Sequence, residues 1–525
     1  MAEKRLVFVR EATGLVREVG PWSSFFAVFG LVTGGVPILF VSLLYTAPGA
    51  NWPVAWLIAF LPSLTLASLA VIIGISLPRS GADYIFVSRA LHPFIAFVNH
   101  FGLVAAWILN FGIFSFLGTK YIGSTLASMG ILYNNPGLAQ LGSYLTEPVP
   151  SFAMTMLTTI IPTGIISLLR PKYAWGFVLW TGIASMVATA VFFGALAAIT
   201  PESFRAAYDA FAASGNYTSY EGILSQGSLE SPGLWPATFA ALPFAWFSYT
   251  WYTLPNAWAG EMKSVRRSMF IAIIGALIWV FIYYVAFTVL AFHAFGQSFL
   301  EAWSNLDSQG SLPFSGVGSF WPFLAFVVYK SPLLLILMFL ALWLPNYGSN
   351  PPNLISQTRY IFTWAFDRIL PERLASVSER LHTPLIASLI VIAGGTLAAA
   401  ILDFFPDAGI DVTTFPIFTF GFIIPSIAAA LFPYIRRDMY ERVILIKRRI
   451  LGIPLLTWLG VATALYLIFS TYLSIAVGNL PLDARSGITY LLIYALGAAV
   501  YIAGYLSAKR KGVPIELVFK EIPPE

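Results

Sequence analysis

Two apolar stretches, residues 22–45 and 235–258, are long enough to cross a bilayer, yet each carries groups that interrupt a helix. The first contains Thr33, Gly34 and Gly35, followed by Val36 and Pro37. The second contains Pro243, then Phe247, Ser248, Tyr249 and Trp251, then Pro255 and Asn256. Glycine loosens the backbone and proline removes a donor, so both stretches are expected to break. Non-helical backbone persists at membrane depth only where it is buried in protein or lines a cavity, so two breaks five helices apart point to a binding site near the midplane. Such a site needs no charged side chain. Backbone N–H groups at a half-helix N-terminus suit a carboxylate, and carbonyls at a half-helix C-terminus suit an ammonium. The expected substrate-binding residues are Thr33, Gly34, Gly35, Val36, Phe247, Ser248, Tyr249 and Trp251. The aromatic ones read equally well as ordinary core, because aromatics make up 16% of the chain.

A second constellation lies in residues 332–358. Asn346, Asn350, Asn353 and Gln357 recur at i, i+4, i+7 and i+11, one face of a helix, with Ser349 beside them. Two readings stand side by side. Asn346, Ser349 and Asn350 can offer oxygens to a coupling ion, sodium or proton; or the amides satisfy carbonyls freed by Pro345, Pro351 and Pro352. No Asp, Glu, Lys or Arg falls inside any expected span, which argues against a carboxylate relay and against a substrate of net charge. A polyamine would want a buried carboxylate, whereas backbone alone can hold a zwitterion. The spans also lack paired carboxylates, HExxH and histidine clusters, so an enzyme is the least favoured class and no cofactor is expected. All four histidines are read as structural. Asp83 with Arg89, and Glu261 with Arg266 or Arg267, are expected to be ion pairs that shape loops.

These residues must be positioned by a membrane domain. The chain has 525 residues, 58% of them hydrophobic and 10% charged, with a mean hydropathy of +0.79, more apolar sequence than a soluble core absorbs. Apolar runs predict twelve transmembrane helices, near 22–45, 53–77, 94–119, 151–169, 173–199, 235–258, 270–295, 332–358, 385–402, 415–435, 453–477 and 486–508. Residues 1–20 carry Lys4, Arg5, Arg10 and Arg17 with no apolar run before them, so they read as a basic tail and not a cleavable signal. Of 29 Lys and Arg, only Lys120, Arg205, Lys330 and Arg485 fall on the side opposite the termini, where Glu202, Asp209, Glu221, Glu230, Asp403, Asp407 and Asp411 gather. The positive-inside rule therefore puts both termini in the cytoplasm of a multi-pass cell-membrane protein. The net charge of +5 reports topology and anionic lipid, not nucleic acid. With no cysteine, disulfides and thiolate metal sites are excluded; other metals and the oligomeric state stay open. Two long outer loops, roughly 200–234 and 296–331, contain short apolar pieces such as residues 320–329, read either as re-entrant caps or as solvated loop.

Four blocks carry a family resemblance. PRSGADYIFVSRALHP (78–93) resembles the P-x-S-G-G-x-Y segment of the amino acid/polyamine/organocation (APC) transporters. VTGGVPI (32–38) is similar to the family's break in helix 1, AGEMKSVRRS (259–268) to the segment after helix 6, and residues 356–384 to the landmarks after helix 8. The resemblance implies an all-α polytopic membrane protein of twelve transmembrane helices: two inverted five-helix repeats with discontinuous helices 1 and 6, plus two trailing helices. It divides the chain into a tail (1–20), a transport core (21–435), helices 11 and 12 (436–508) and a second tail (509–525). Counting back from Glu261 puts the family's unwinding glycine of helix 6 near Trp251. Tryptophan cannot supply that freedom, so the break is expected at Pro255-Asn256. Relatives that carry a coupling lysine in helix 5 would have it near Ser185, and this helix has none between 173 and 199.

The implied activity is secondary transport of small zwitterions, foremost neutral amino acids, by alternating access. Transport of another organic solute, such as a nucleobase or amine, is the alternative; a binding sensor or a channel is less favoured. The topology is directly testable in a cysteine-free chain. A single cysteine at position 440 is expected to resist an impermeant thiol reagent added to intact cells, and one at position 215 to react; the reverse pattern would invert the orientation.

Overall fold

The computed structural model describes residues 14–523 apart from 315–316, 318–319, 409 and 477–483. Lys4, Arg5 and Arg10 lie outside the described residues, as do the side chains of Asp407, Asp411 and Arg485. The protein is an all-α polytopic membrane protein. Eleven helices among the described residues are long and apolar enough to cross a membrane. The expected span absent from that count is helix 6, which is divided into Leu234–Phe247 and a 3-10 segment, Thr250–Glu261, each too short to qualify alone. Helix 1 is likewise split into Pro21–Thr33 and Val36–Ser42. The remaining spans are helix 2 (Trp52–Ser76), helix 3 (Pro93–Leu132), helix 4 (Pro148–Leu168), helix 5 (Pro171–Ala198), helix 7 (Val265–Phe295), helix 8 (Pro332–Phe366), helix 9 (Leu385–Phe404), helix 10 (Ile410–Ile435), helix 11 (Leu455–Ala476) and helix 12 (Ala484–Arg510). The one sheet among the described residues is a short antiparallel hairpin that pairs Arg449 with Pro454 and Ile450 with Ile453.

Local sequence explains where the helices begin. Prolines Pro93, Pro148, Pro171 and Pro332 start helices 3, 4, 5 and 8, where the missing N–H has no helical partner to lose. Asn51 and His92 cap helices 2 and 3 by accepting from the N–H of Val54 and Phe94. Burial then orders the bundle. The spanning window of helix 1 is 94% buried and that of helix 12 is 17% buried, so helix 1 is the central element and helix 12 faces lipid. Helix 1 packs on helices 5, 7 and 8 and on the second half of helix 6.

Both faces are sealed around helix 1. Opposite the termini, the long loops fold as helices Pro201–Gly215, Tyr220–Gln226, Gln297–Ser308 and Pro322–Tyr329. Residues 322–327 are buried, and the indole of Trp321 donates to the Pro37 carbonyl at 3.1 Å, so this segment is a packed cap. On the face that carries the termini, Val19 pairs with the end of helix 6: its N–H donates to Glu261 O at 3.0 Å, and its carbonyl accepts from Lys263 N–H at 3.1 Å. Gly81 (φ +71°) donates to Ala257 O at 3.2 Å, and a Cβ there would meet the Thr363 hydroxyl at 2.9 Å. Only glycine suits both that conformation and that approach.

Two expected ion pairs are re-partnered. Glu261 accepts a bidentate pair of bonds from Arg359 of helix 8 at 2.6 and 2.9 Å, not from Arg266 or Arg267. Arg89 grips Asp367 at 2.6 and 2.8 Å, not Asp83. The physical reason is burial: Glu261 and Arg359 are 1% and 2% exposed, and a desolvated charge needs a partner of matching fork geometry. Removing one partner leaves a buried charge alone, so Glu261→Gln is expected to lower stability by about 3–5 kcal/mol. A paired Glu261→Met/Arg359→Met replacement is expected to recover most of that loss, measured by thermal melting of the purified protein in detergent.

Candidate substrate site

The break in helix 1 is a packing device before it is a binding device. Thr33 ends the first half with its hydroxyl returned to the Phe29 carbonyl at 2.7 Å. A Cβ on Gly34 would sit 2.7 Å from Asn346 Cα and 2.9 Å from its nitrogen, and one on Gly30 would sit 2.9 Å from the Pro345 carbonyl. Helices 1 and 8 therefore touch backbone to backbone, as small residues in membrane helices allow. Gly35 is different. Its ideal Cβ position lies 3.5 Å from the Phe114 ring, an ordinary contact. Val36 and Pro37 open the second half, with Val36 buried.

Helix 6 breaks earlier than Pro255-Asn256. Its α-helix ends at Phe247, and Ser248 and Tyr249 form the turn into the 3-10 segment, within which Trp258 is the residue of non-helical φ and ψ. Pro255 sits in a 3-10 turn that tolerates it, while the change from α to 3-10 bonding strands carbonyls further upstream. Two of the stranded groups meet. The Tyr284 hydroxyl of helix 7 lies 2.6 Å from the Val32 carbonyl and 2.9 Å from the Ser248 carbonyl. A phenol has one proton, so it donates to one carbonyl at a time and leaves the other with unsatisfied capacity.

Around this junction the structure gathers rings. Trp251 packs edge-on to Phe247 at 5.0 Å between centroids, and lies 5.6 Å from Phe114 and 5.7 Å from Phe418. Trp251 is buried and its indole N–H has no hydrogen-bond partner. The Ser248 carbonyl is held by Tyr284, whose ring stacks on Trp56 at 4.6 Å, while Gly35, Phe247 and Trp251 share one centre, reached through Phe114. Tyr249 does not: its hydroxyl points to Trp56 O at 3.4 Å and its ring packs on Trp56 and Tyr284, toward helix 2. Phe114, Phe418 and Tyr284 escaped sequence reading. The adjacent Tyr283-Tyr284 pair in an otherwise apolar helix 7 was the available signal; the two phenylalanines carried none.

The polar stripe of helix 8 is fully buried. Ser349 turns its hydroxyl back to Asn346 O at 2.7 Å and faces Gly30, while Gln357 bonds Asn353 at 3.1 Å. The amides of Asn346 and Asn350 have no partner on either atom, so they are not spent on carbonyls freed by the prolines. Asn346 projects its oxygen to within 3.0 Å of the Cβ position of Gly118 in helix 3.

A polytopic bundle with two interrupted helices meeting at an uncharged, aromatic-lined centre defines a membrane transporter. The chain belongs to the amino acid permease family, whose model matches residues 19–503 and so takes in both breaks, the ion pairs and helix 8. No curated protein matches the chain.

The two glycines separate packing from binding. Gly34→Ala is expected to force helices 1 and 8 apart and to lower stability by about 1–3 kcal/mol. Gly35→Ala is expected to melt like the parent, whereas Gly35→Leu folds but fills the space before Phe114 and abolishes binding. Thermal melting and equilibrium ligand binding, run on the same three preparations, check all of these.

Proposed function

We propose that this permease is a secondary transporter of neutral amino acids, working by alternating access with the substrate held between the breaks of helices 1 and 6. The observation that carries the reading is the meeting of the two breaks: the Val32 and Ser248 carbonyls share one hydroxyl, and beside them Phe114, Phe247, Trp251 and Phe418 pack into one uncharged ring cluster that Gly35 adjoins through Phe114. An ammonium group is received by those carbonyls, and a carboxylate faces the loosened backbone at Gly34-Gly35. The rings select an apolar side chain. None of these residues carries a charge, so a second cationic group on the ligand would be desolvated without a partner.

The reading extends to coupling. Asn346 and Asn350 supply buried oxygens without protein partners beside the helix 1 contact, a suitable setting for a monovalent cation shared by helices 1 and 8. By the family resemblance the lysine that stands in for such an ion in some relatives would fall near Ser185 of helix 5, which is buried here. The face bearing the termini is the cytoplasmic one in this scheme, and the segment Pro322–Tyr329 caps the outer side.

Competition in proteoliposomes tests the substrate class: leucine, phenylalanine or alanine is expected to displace bound ligand far better than arginine or putrescine. Better displacement by the cations would reject it. Uptake under an imposed sodium gradient is expected to exceed uptake without one, and Asn350→Ala to abolish the difference.

A further inference from the structure

A second polar site lies away from the substrate centre, in the half of the bundle that carries the termini. Helices 2, 3, 6 and 10 and the loop helix Ala82–Ala90 enclose a cavity of about 30 Å³, room for one or two water molecules. His100 of helix 3 lines it, 4% exposed, with neither ring nitrogen hydrogen-bonded. Its Nε2 is 3.6 Å from Asp83 Oδ2 of the loop helix. That same oxygen accepts from the Tyr360 hydroxyl at 3.1 Å, while Asp83 Oδ1 has no partner. Thr253 Oγ1 and Asn256 Oδ1 of helix 6 also line the cavity unpartnered. Buried polar atoms are normally satisfied, so this many free ones around a water-sized space mark a hydrated site.

Which groups there can change charge is settled by listing what faces His100. Helix 8 presents Tyr360 and Trp364, the loop helix presents Asp83 and Tyr84, helix 6 presents Thr253 and Asn256, and helix 3 itself presents Trp107. The cavity walls from helices 2 and 10 are Leu66, Leu69, Ala70, Ile73, Phe422 and Pro425, none titratable. Burial, reinforced by Asp367, holds the Tyr84 phenol far above its ordinary value, so it stays neutral. The nearby charges, Arg89 with Asp367 and Arg359 with Glu261, are bidentate pairs of zero net charge. Asp83 and His100 are thus the acid and the base that face each other at the cavity.

We propose that Asp83 and His100 form a hydrated proton-binding site that gates the face carrying the termini. With a proton on the imidazole, the two side chains make a neutral couple across 3.6 Å that ties the loop helix to helix 3. The loop helix is the element that seals this face, since Gly81 donates to Ala257 O of helix 6 and Ser80 O accepts from Thr363 of helix 8. When the proton passes from Nε2 to cavity water and out to bulk solvent, Asp83, whose side chain is 16% exposed, keeps its negative charge with Tyr360 as its hydrogen-bond donor. The sealed state then loses an attraction that the open state never had. The sealed state binds the proton more tightly, so by linkage sealing is favoured as pH falls and opening as pH rises. This gate is separate from the cation setting at Asn346 and Asn350, and its functional readout rests on the transport reading.

The experiment uses the full-length chain with equal pH on both sides of the membrane, so that no proton gradient drives movement. Substrate exchange in proteoliposomes and hydrogen-exchange protection of residues 78–90, corrected for intrinsic rates, are followed over about pH 5 to 8, the range in which histidine titrates. In the parent, exchange is expected to rise several-fold with pH while protection of 78–90 falls. Asp83→Asn, which keeps the Tyr360 bond, and His100→Gln are each expected to flatten both profiles and to leave substrate affinity unchanged. Identical profiles in parent and variants overturn the gate. So does protection that follows sodium or potassium concentration at fixed pH, which would make the cavity a metal-cation site. If no substrate exchanges at any pH, the transport reading fails, and the protection profiles of parent and variants still decide the proton site on their own. Should His100→Gln not fold, Asp83→Asn carries the comparison alone.

Discussion

A broken helix at membrane depth exposes carbonyls that lipid cannot satisfy, and the architecture follows from how this chain answers that constraint. The Tyr284 hydroxyl stands between the two breaks and serves Val32 O and Ser248 O with a single proton. Full satisfaction of both would make the junction a rigid structural bond; no satisfaction would make the breaks too unfavourable to keep. Half-satisfied backbone, held by a shared hydroxyl, keeps both breaks at a modest cost. The glycines serve the same end from the other side, since Gly30 and Gly34 let helix 8 approach helix 1 closely enough to bury the break.

The polar chemistry is partitioned by depth. Around the substrate centre it is backbone and aromatic. On the face with the termini full charges are locked two by two, Glu261 with Arg359 and Arg89 with Asp367, and on the opposite face Lys120 lies 3.8 Å from the buried Asp403. Each arginine pair crosses between elements, helix 6 and helix 8 in one case and the loop helix and the end of helix 8 in the other. Arg89 also donates to the carbonyls of Val518 and Glu521 and lies over the Phe519 ring, so the C-terminal segment is docked on the same latch. Opening this face would mean breaking or moving charged contacts in a dry setting, which favours discrete sealed and open states over gradual loosening.

Much of this was legible in one dimension. Apolar run length predicts the spans because the bilayer imposes a minimum, and the glycines at 34 and 35 mark the helix 1 break because no other residue loosens a backbone so cheaply. The four sequence blocks that resemble APC transporters were sufficient for the family, which the match over residues 19–503 establishes. The polar stripe of helix 8 was read as one face of a helix, since 3.6-residue periodicity is local, and the bundle buries that part of the helix on every side.

What escaped was long-range. Proline pointed to the wrong end of helix 6, because the shift from α to 3-10 bonding depends on what surrounds Ser248 and Tyr249, not on which residue lacks an N–H. Near neighbours in sequence suggested partners for Asp83 and Glu261, yet a desolvated carboxylate takes the donor with the best geometry, and those donors come from 277 and 98 positions away. His100 looked like a structural residue near a helix end until helices 3 and 6 and the loop helix closed a cavity around it. The sequence by itself determined a multi-span apolar chain with an interruption in helix 1, because bilayer thickness and backbone freedom act on each segment separately; its expectation of charge-free spans fails, since the helices run longer than the apolar runs and take in Lys120, Arg359 and Asp403. Only the tertiary structure decided which carbonyls meet at Tyr284, which charges pair and which histidine lines a cavity, because desolvation is a property of the assembled bundle and not of any one helix.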